Sequence, residues 1–361
     1  MQYHLLLTER CNLNCTYCGG TRHVKGIPLD PSYEFSDLKS FIAKDPEPVI
    51  GFYGGEPLLN LDYMYKIMDN IPAKAHTLQT NAIHLSEIDD DHLHRLHSIL
   101  VSVDGCREVT DHYRGSGTYE RVMENLRNVK RRGYKGDVVA RMAFSDYGDI
   151  YRDVTYLLNL EDPHFNHVHW QLDVFWSDLE TRGDLQSWLK RYEIGISRLV
   201  HDFCENMKNG RILGVVPFIP VLKTLLTGEP TPHIRCGSGS TSFSIMTSGR
   251  IDVCPIAPEL TYSTVGDIHT SKPQDLKDSL KPGHPCDSCD DLWICGGRCL
   301  FANQTMYWGR PWFDRICETT RQMIRELEKL VPLVSRLMDE KVIQETALDY
   351  PEVNNGCEII P

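Results

Sequence analysis

Three cysteines near the start of the chain, Cys11, Cys15 and Cys18, are spaced as C-x3-C-x2-C. No other feature restricts the fold and its chemistry as tightly. Three thiolates at this spacing can hold three corners of an iron–sulfur cubane. Such cubanes usually take four cysteines, so a triplet with no fourth cysteine nearby leaves one iron open to another ligand. The competing reading is a zinc knuckle, which needs four closed ligands and which His23 would complete. Tyr17, just before the third cysteine, is placed to shield a cluster.

The chain has 13 cysteines, an odd number that clusters rather than scatters. Disulfides are rare in reducing compartments, so clustered cysteines point to metal or redox chemistry. A second set lies toward the C-terminus: Cys236, Cys254, Cys286, Cys289, Cys295, Cys299 and Cys317. Cys106, Cys204 and Cys357 stand apart. The apolar run in Met1–Arg10 is too short for a signal peptide, and no stretch approaches the ~20 apolar residues that cross a bilayer. We expect a cytoplasmic protein without membrane contact. A net charge of −12 gives no general attraction to nucleic acid or anionic membranes. A basic peptide would suit that field.

Short apolar runs alternate with longer periodic segments through the first half, which predicts β/α units around a parallel sheet. Candidate strands are Tyr3–Thr8, Val49–Tyr53, His76–Thr80, Ile99–Val103, Val138–Phe144 and Val168–Val174. Candidate helices are Ser36–Ala43, Leu61–Asn70, Asp89–Leu96, Tyr119–Arg132 and Ile150–Leu158. Six such units make a partial (β/α)6 TIM barrel, an α/β fold with its chemistry at the C-terminal strand ends. Cys11, Gly54-Gly55-Glu56-Pro57, Thr80-Asn81 and Ser102-Val103-Asp104-Gly105 all fall at such ends. We divide the chain into a barrel core (1–175), a helical bridge (176–229), a cysteine-rich domain (230–320) and a C-terminal helix with tail (321–361). In the cysteine-rich domain, Phe243–Met246 and Ile251–Cys254 predict a β-hairpin. An amphipathic helix from about Glu318 to Lys341, broken near Pro332, is expected to follow.

The C-x3-C-x-aromatic-C loop after the first strand resembles the hallmark of the radical S-adenosylmethionine (SAM) superfamily. The resemblance implies a [4Fe–4S] cluster on Cys11, Cys15 and Cys18. Its open iron chelates SAM, which is reductively cleaved to a 5′-deoxyadenosyl radical that abstracts a substrate hydrogen. Gly54, Gly55, Glu56 and Pro57 are similar to the GGEP motif that binds the SAM amino group. Asn81 and Ser102 resemble contacts to the SAM ribose or carboxylate. Arg114 resembles a carboxylate-binding arginine, a task that suits a guanidinium. Gln171 and Leu172 are expected to flank the adenine.

The C-terminal spacing resembles the SPASM domain, which carries two auxiliary [4Fe–4S] clusters. That resemblance assigns Cys286, Cys289, Cys295 and Cys317 to the distal cluster, and Cys236, Cys254 and Cys299 to the nearer one. The nearer cluster is then one ligand short. Either its iron is open to substrate, or Cys204, Cys357 or an oxygen ligand closes it. The chain is similar to an archaeal group of peptide-modifying proteins.

The resemblance implies an oxidoreductase of ribosomal-peptide maturation, working anaerobically on a peptide or protein side chain. Its electrons would come from a donor such as flavodoxin or ferredoxin. In sulfatase-maturing relatives an aspartate follows the hairpin cysteine. Pro255 stands there and cannot be a base. The first strand begins near Tyr3, so we expect no N-terminal peptide-recognition domain. A small-molecule radical SAM dehydrogenase is the alternative, and an iron–sulfur electron carrier the third reading. His92, His94 and His97 read as a solvated helix surface, Cys106 as a buried thiol, and Asp104 as either a turn cap or a site residue.

Overall fold

The computed structural model describes residues 1–18, 26–174, 179, 182–232, 234–256, 260–351, 353 and 360–361. Six parallel strands stand side by side in chain order. They are β1 (Gln2–Leu6), β2 (Val49–Tyr53), β3 (Ala75–Thr80), β4 (Leu96–Ser102), β5 (Asp137–Phe144) and β6 (His167–Leu172). The connections carry α1 (Phe35–Ile42), α2 (Leu61–Asn70), α3 (Asp90–His94), α4 (Arg107–Arg114), α5 (Thr118–Arg131) and α6 (Ile150–Leu158). This is the partial (β/α) barrel that the apolar periodicity predicts.

Side chains alternate across each strand. Tyr3 on β1 turns to the helices, its ring 5.8 Å from that of Phe41 on α1. His4 turns the other way. A Cβ on Gly51 of β2 would lie 3.1 Å from His4 Nδ1 and 3.1 Å from Thr77 Oγ1, so these three residues share the barrel interior. On β5 and β6, Arg141 joins His169 and Gln171 there, with Nη1 2.7 Å from His169 Nδ1 and Nη2 donating to Gln171 Oε1 at 2.9 Å. The outer face is a continuous apolar core, whereas the interior is polar.

Two local expectations change. The helix expected over Asp89–Leu96 stops at His94, because β4 already begins at Leu96. Asp89 caps it by accepting from the His92 N–H at 2.9 Å. His94 and His97 are exposed, as a solvated surface requires, and only His92 departs from that expectation. His92 is buried between Asp69 and Asp89 and stacks on Tyr65 at 3.9 Å. Helix α4 was not anticipated, since polar Thr110 and Arg114 sit on its buried face and blur the amphipathic signal.

Past the barrel come α7 (Leu185–Lys208) and α8 (Phe218–Thr227). The expected hairpin is β7 (Ser242–Ile245) and β8 (Arg250–Asp252), turning at Gly249 with φ +90°. β7 also pairs in parallel with β1, and β9 (Thr264–Asp267) lines up on β8. One sheet therefore runs β6-β5-β4-β3-β2-β1-β7-β8-β9. Short helices α9 (Pro273–Leu276), α10 (Leu292–Cys295) and α11 (Leu300–Thr305) follow. Helix α12 (Arg310–Glu328) starts earlier than expected, so Cys317 lies within it. The break before α13 (Val331–Asp339) puts Pro332 in the new first turn, where its missing N–H costs nothing. Among the described residues no helix is long and apolar enough to cross a membrane.

Candidate active site

The C-terminal end of β2 is pressed against the segment that leads into the cysteine loop. The Gly55 N–H donates to Thr8 O at 2.8 Å and the Glu56 N–H to Arg10 O at 2.7 Å. Gly54 has φ +141°, and a Cβ there would lie 2.3 Å from Thr8 O. A Cβ on Gly55 would lie 2.3 Å from Arg10 O. Both positions need glycine because another stretch of backbone occupies the side-chain volume.

Glu56 is fully buried. Its Oε1 accepts from Thr80 Oγ1 at 2.6 Å and from the Leu58 N–H at 3.1 Å, and its Oε2 accepts from the Asn81 N–H at 2.7 Å. These bonds join β2 to β3 and leave one acceptor direction on Oε2. Burial pushes the Glu56 carboxyl up, and the three hydrogen bonds oppose that. Asn81 Nδ2 donates to Asn12 Oδ1 at 2.7 Å and stands 3.8 Å from Cys11 Sγ, so Asn81 borders the cysteine loop directly.

On the far side the loop is stapled through Asp104, whose side chain is fully buried. Asp104 Oδ2 accepts from the Tyr17 hydroxyl at 2.6 Å. Arg114 holds both oxygens, Nε to Oδ2 at 2.7 Å and Nη2 to Oδ1 at 2.8 Å. Oδ1 also accepts from the Ala143 N–H of β5 at 2.9 Å. The Thr16 N–H donates to Tyr113 O at 2.9 Å, and Arg114 Cζ lies 5.5 Å from the Tyr17 ring centre. Asp104 is thus the hub that fixes loop, α4 and β5 together. Arg114 reaches the loop with two of its donor nitrogens engaged by Asp104.

Cys18 stands close enough to Cys11 and Cys15 to disfavour their ionisation. Burial raises Cys11 and pushes Cys15 up to about 11, with Arg114 opposing at Cys15. The seven C-terminal cysteines perturb each other in two groups. Cys236, Cys254 and Cys299 form one. Cys286, Cys289, Cys295 and Cys317 form the other. Burial pushes Cys236 and Cys295 up to about 12 and Cys286 to about 11. Ser238 Oγ donates to Val253 O at 2.7 Å, which draws the loop after Cys236 onto the strand before Cys254. Asn303 bonds both the N–H and the C=O of Gly283, which draws the Cys286 turn onto the helix after Cys299. Arg298 is buried, and its charge favours the thiolates of Cys286, Cys295, Cys299 and Cys317.

Burial disfavours the thiolate form at these sulfurs, and nearby donors oppose that. Backbone N–H groups point at Cys11, Cys236, Cys254, Cys295 and Cys299, and hydrogen bonds to sulfur are a standard feature of iron–sulfur ligation. Among the described residues no three His, Cys, Asp or Glu side chains converge on a single ion. Cubane cysteines instead take separate iron corners. Cys204, on α7, has Lys208 and Glu205 as its charged neighbours rather than the other cysteines. His23 and Cys357 lie outside the described residues. Cys106 is half-buried rather than buried.

Ser102 ends β4 in register with Arg141, on the interior face that also carries Gln171. Leu172 shares the opposite face of β6 with Trp170, which bonds Tyr192 and packs on Phe218. Leu172 is fully buried there and is not brought to the barrel mouth. Two interior residues were missed. Arg141 is a lone charge in the apolar run Val138–Phe144, which was the available signal. Tyr53 is the last residue of β2, directly before Gly54. Burial pushes its phenol up to about 12, with Arg141 opposing and both Cys254 and Cys18 adding to it.

Residues 5–147 match the model of the Radical SAM superfamily, so this segment of the chain is similar to that family. The chain spans only part of the length of the curated relatives it matches. An uncharacterised protein of Archaeoglobus fulgidus is 25% identical over 262 residues, 67% of this chain and 58% of that protein. The Fe-coproporphyrin III synthase of Methanosarcina barkeri is 29% identical over 141 residues, 36% of this chain and 34% of the synthase. In overall fold the chain is similar to anSMEcpe with bound AdoMet, with a TM-score of 0.71 at 18% identity over 96% of this chain and 97% of that one. It is also similar to Streptococcus suis SuiB bound to precursor peptide SuiA, with a TM-score of 0.57 at 16% identity over 86% and 73%.

Proposed function

We propose that this enzyme oxidatively modifies a side chain of a peptide or protein, with one SAM-binding [4Fe–4S] cluster and two auxiliary ones. The observation that carries the reading is Tyr53. Tyr53 ends β2, and its phenol is near enough to feel both Cys18 of the N-terminal loop and Cys254 of the nearer C-terminal set, which supports placing both sets toward the same end of the barrel. When bound, SAM and its cluster supply the radical that removes a substrate hydrogen. Cys11, Cys15 and Cys18 hold that cluster, while Gly54–Pro57, Asn81, Ser102, Arg114 and Gln171 border SAM. Cys236, Cys254 and Cys299 hold the nearer auxiliary cluster, with an iron facing substrate. Cys286, Cys289, Cys295 and Cys317 close the distal one. Peptide-bound relatives support the substrate class, since the fold is shared with anSMEcpe bound to Cp18Cys peptide and with SuiB bound to SuiA. A one-electron donor protein in the cytoplasm completes the system.

A small-molecule substrate is the second reading. It is favoured by the likeness of a 141-residue segment to the Fe-coproporphyrin III synthase and to the pre-heme d1 synthase of Dinoroseobacter shibae. One experiment separates the two. The anaerobically reconstituted enzyme is given SAM, a strong reductant and cell extract, and 5′-deoxyadenosine is measured. Stimulation lost after protease treatment of the extract supports the peptide. Stimulation that survives protease supports the small molecule and overturns the first reading.

A further inference from the structure

The sulfur of Cys289 is reached differently from the other C-terminal sulfurs. Neutral amides serve Cys236, Cys254, Cys286, Cys295 and Cys299. At Cys289 a full positive charge arrives, with Arg321 Nη2 3.6 Å from Sγ. Arg321 follows Cys317 by four residues on α12, so the two project from one helix face. Its remaining nitrogens are committed. Nε donates to Asp291 Oδ2 at 3.2 Å and Nη1 to Glu318 Oε1 at 2.7 Å. Asp291 lies between Cys289 and Cys295 and opens α10. The planar fork therefore ties the α12 segment to the Cys289–Cys295 segment, and its aim at the sulfur is fixed from two sides.

A cation beside an iron–sulfur group stabilises the state with one more electron, and a hydrogen bond to sulfur acts in the same direction. Arg298 cannot distinguish the two sets, because it acts on cysteines of both. Arg321 stands on the outer side, next to Cys289 and Cys317 alone among the cysteines named with it. We propose that the Arg321 fork, through its N–H bond to Cys289 Sγ, raises the reduction potential of the distal iron–sulfur group and leaves that of the nearer one unchanged. This rests on the reading that Cys286, Cys289, Cys295 and Cys317 bind such a group. Arg321 is a positioning and tuning residue.

The test is a redox titration of the full-length, reconstituted protein, followed by electron paramagnetic resonance, with iron counted in every sample. In Arg321→Gln the distal signal should become harder to reduce, by roughly tenfold in the one-electron equilibrium constant, or ~59 mV. The other two signals should stay in place. Arg321→Lys, which keeps the charge without the fork, should shift the same signal less. Arg325→Gln, one turn further along α12, should shift nothing. An unmoved distal potential at full iron content overturns the role of Arg321, as does an equal shift of all signals. If Arg321→Gln loses iron, Arg321→Lys decides, and a wild-type potential in that variant overturns the proposal. A wild-type protein holding about four irons instead of about twelve removes the distal group itself and overturns the underlying reading.

Discussion

The two cysteine-bearing regions are built in opposite ways. Cys11, Cys15 and Cys18 come from one short loop, and two of the three are exposed. Their order depends on outside braces, Glu56 with the two glycines on one flank and Asp104 on the other. The C-terminal cysteines come from several separate segments, and each set is internal to the packing that creates it. A local motif presents a reactive centre at a surface, whereas a dispersed one turns the fold itself into the ligand. The first should fail by losing its braces, the second by losing the fold.

The largest effect tests whether the regions are independent. Cys15→Ala should lower 5′-deoxyadenosine formation by more than ~100-fold, since even second-shell losses at metal sites cost 10–100-fold. About eight of about twelve irons should remain on the C-terminal sets. Iron loss from all three would break the comparison. Asp104→Ala comes next. It strands Arg114 as a buried unpaired charge, and breaking such a pair costs about 3–5 kcal/mol. Denaturant unfolding should report that loss.

Gly55→Ala should cost about 1–3 kcal/mol of overpacking, since its Cβ meets Arg10 O at 2.3 Å. It should also loosen iron bound at the N-terminal loop before iron bound elsewhere, as measured by chelator release. The smallest effect is in acid. His4 on β1 and His76 on β3 have their pKa lowered to about 4 by burial. The unfolded chain takes up protons below its ordinary 6.5 while the fold resists. Stability is therefore intact above about pH 6.5 and is lost progressively as pH falls toward 4. His4→Gln should flatten that slope in a pH series of unfolding curves.

What the sequence reveals follows the same divide. The C-x3-C-x2-C loop, the Gly54–Pro57 turn and the six β/α units are written in adjacent residues, and the structure carries them within a few residues of where the pattern predicts. The hairpin at Gly249 is equally local. Pairing of β7 with β1 is not, because four residues carry no label for a partner some 240 positions away. Asp104, Tyr53 and Arg321 acquire meaning only from neighbours in space. Leu172 shows the limit at its sharpest. Its place at a strand end was readable, but the face it occupies depends on strand alternation that only register fixes.

The parallel seam between β1 and β7 also has a consequence in time. The first strand leaves the ribosome early, with one edge covered by β2 and the other bare. That edge stays open until Ser242–Ile245 has been made, and long-range pairings of this kind form slowly. At ~5–20 residues per second, roughly ten seconds or more of synthesis pass with an apolar strand unpaired beside three free thiols. A nascent chain of this protein therefore needs its own C-terminal third to protect its N-terminus. Stalling it before residue 242 should produce a species that chaperones hold and that oxidants reach.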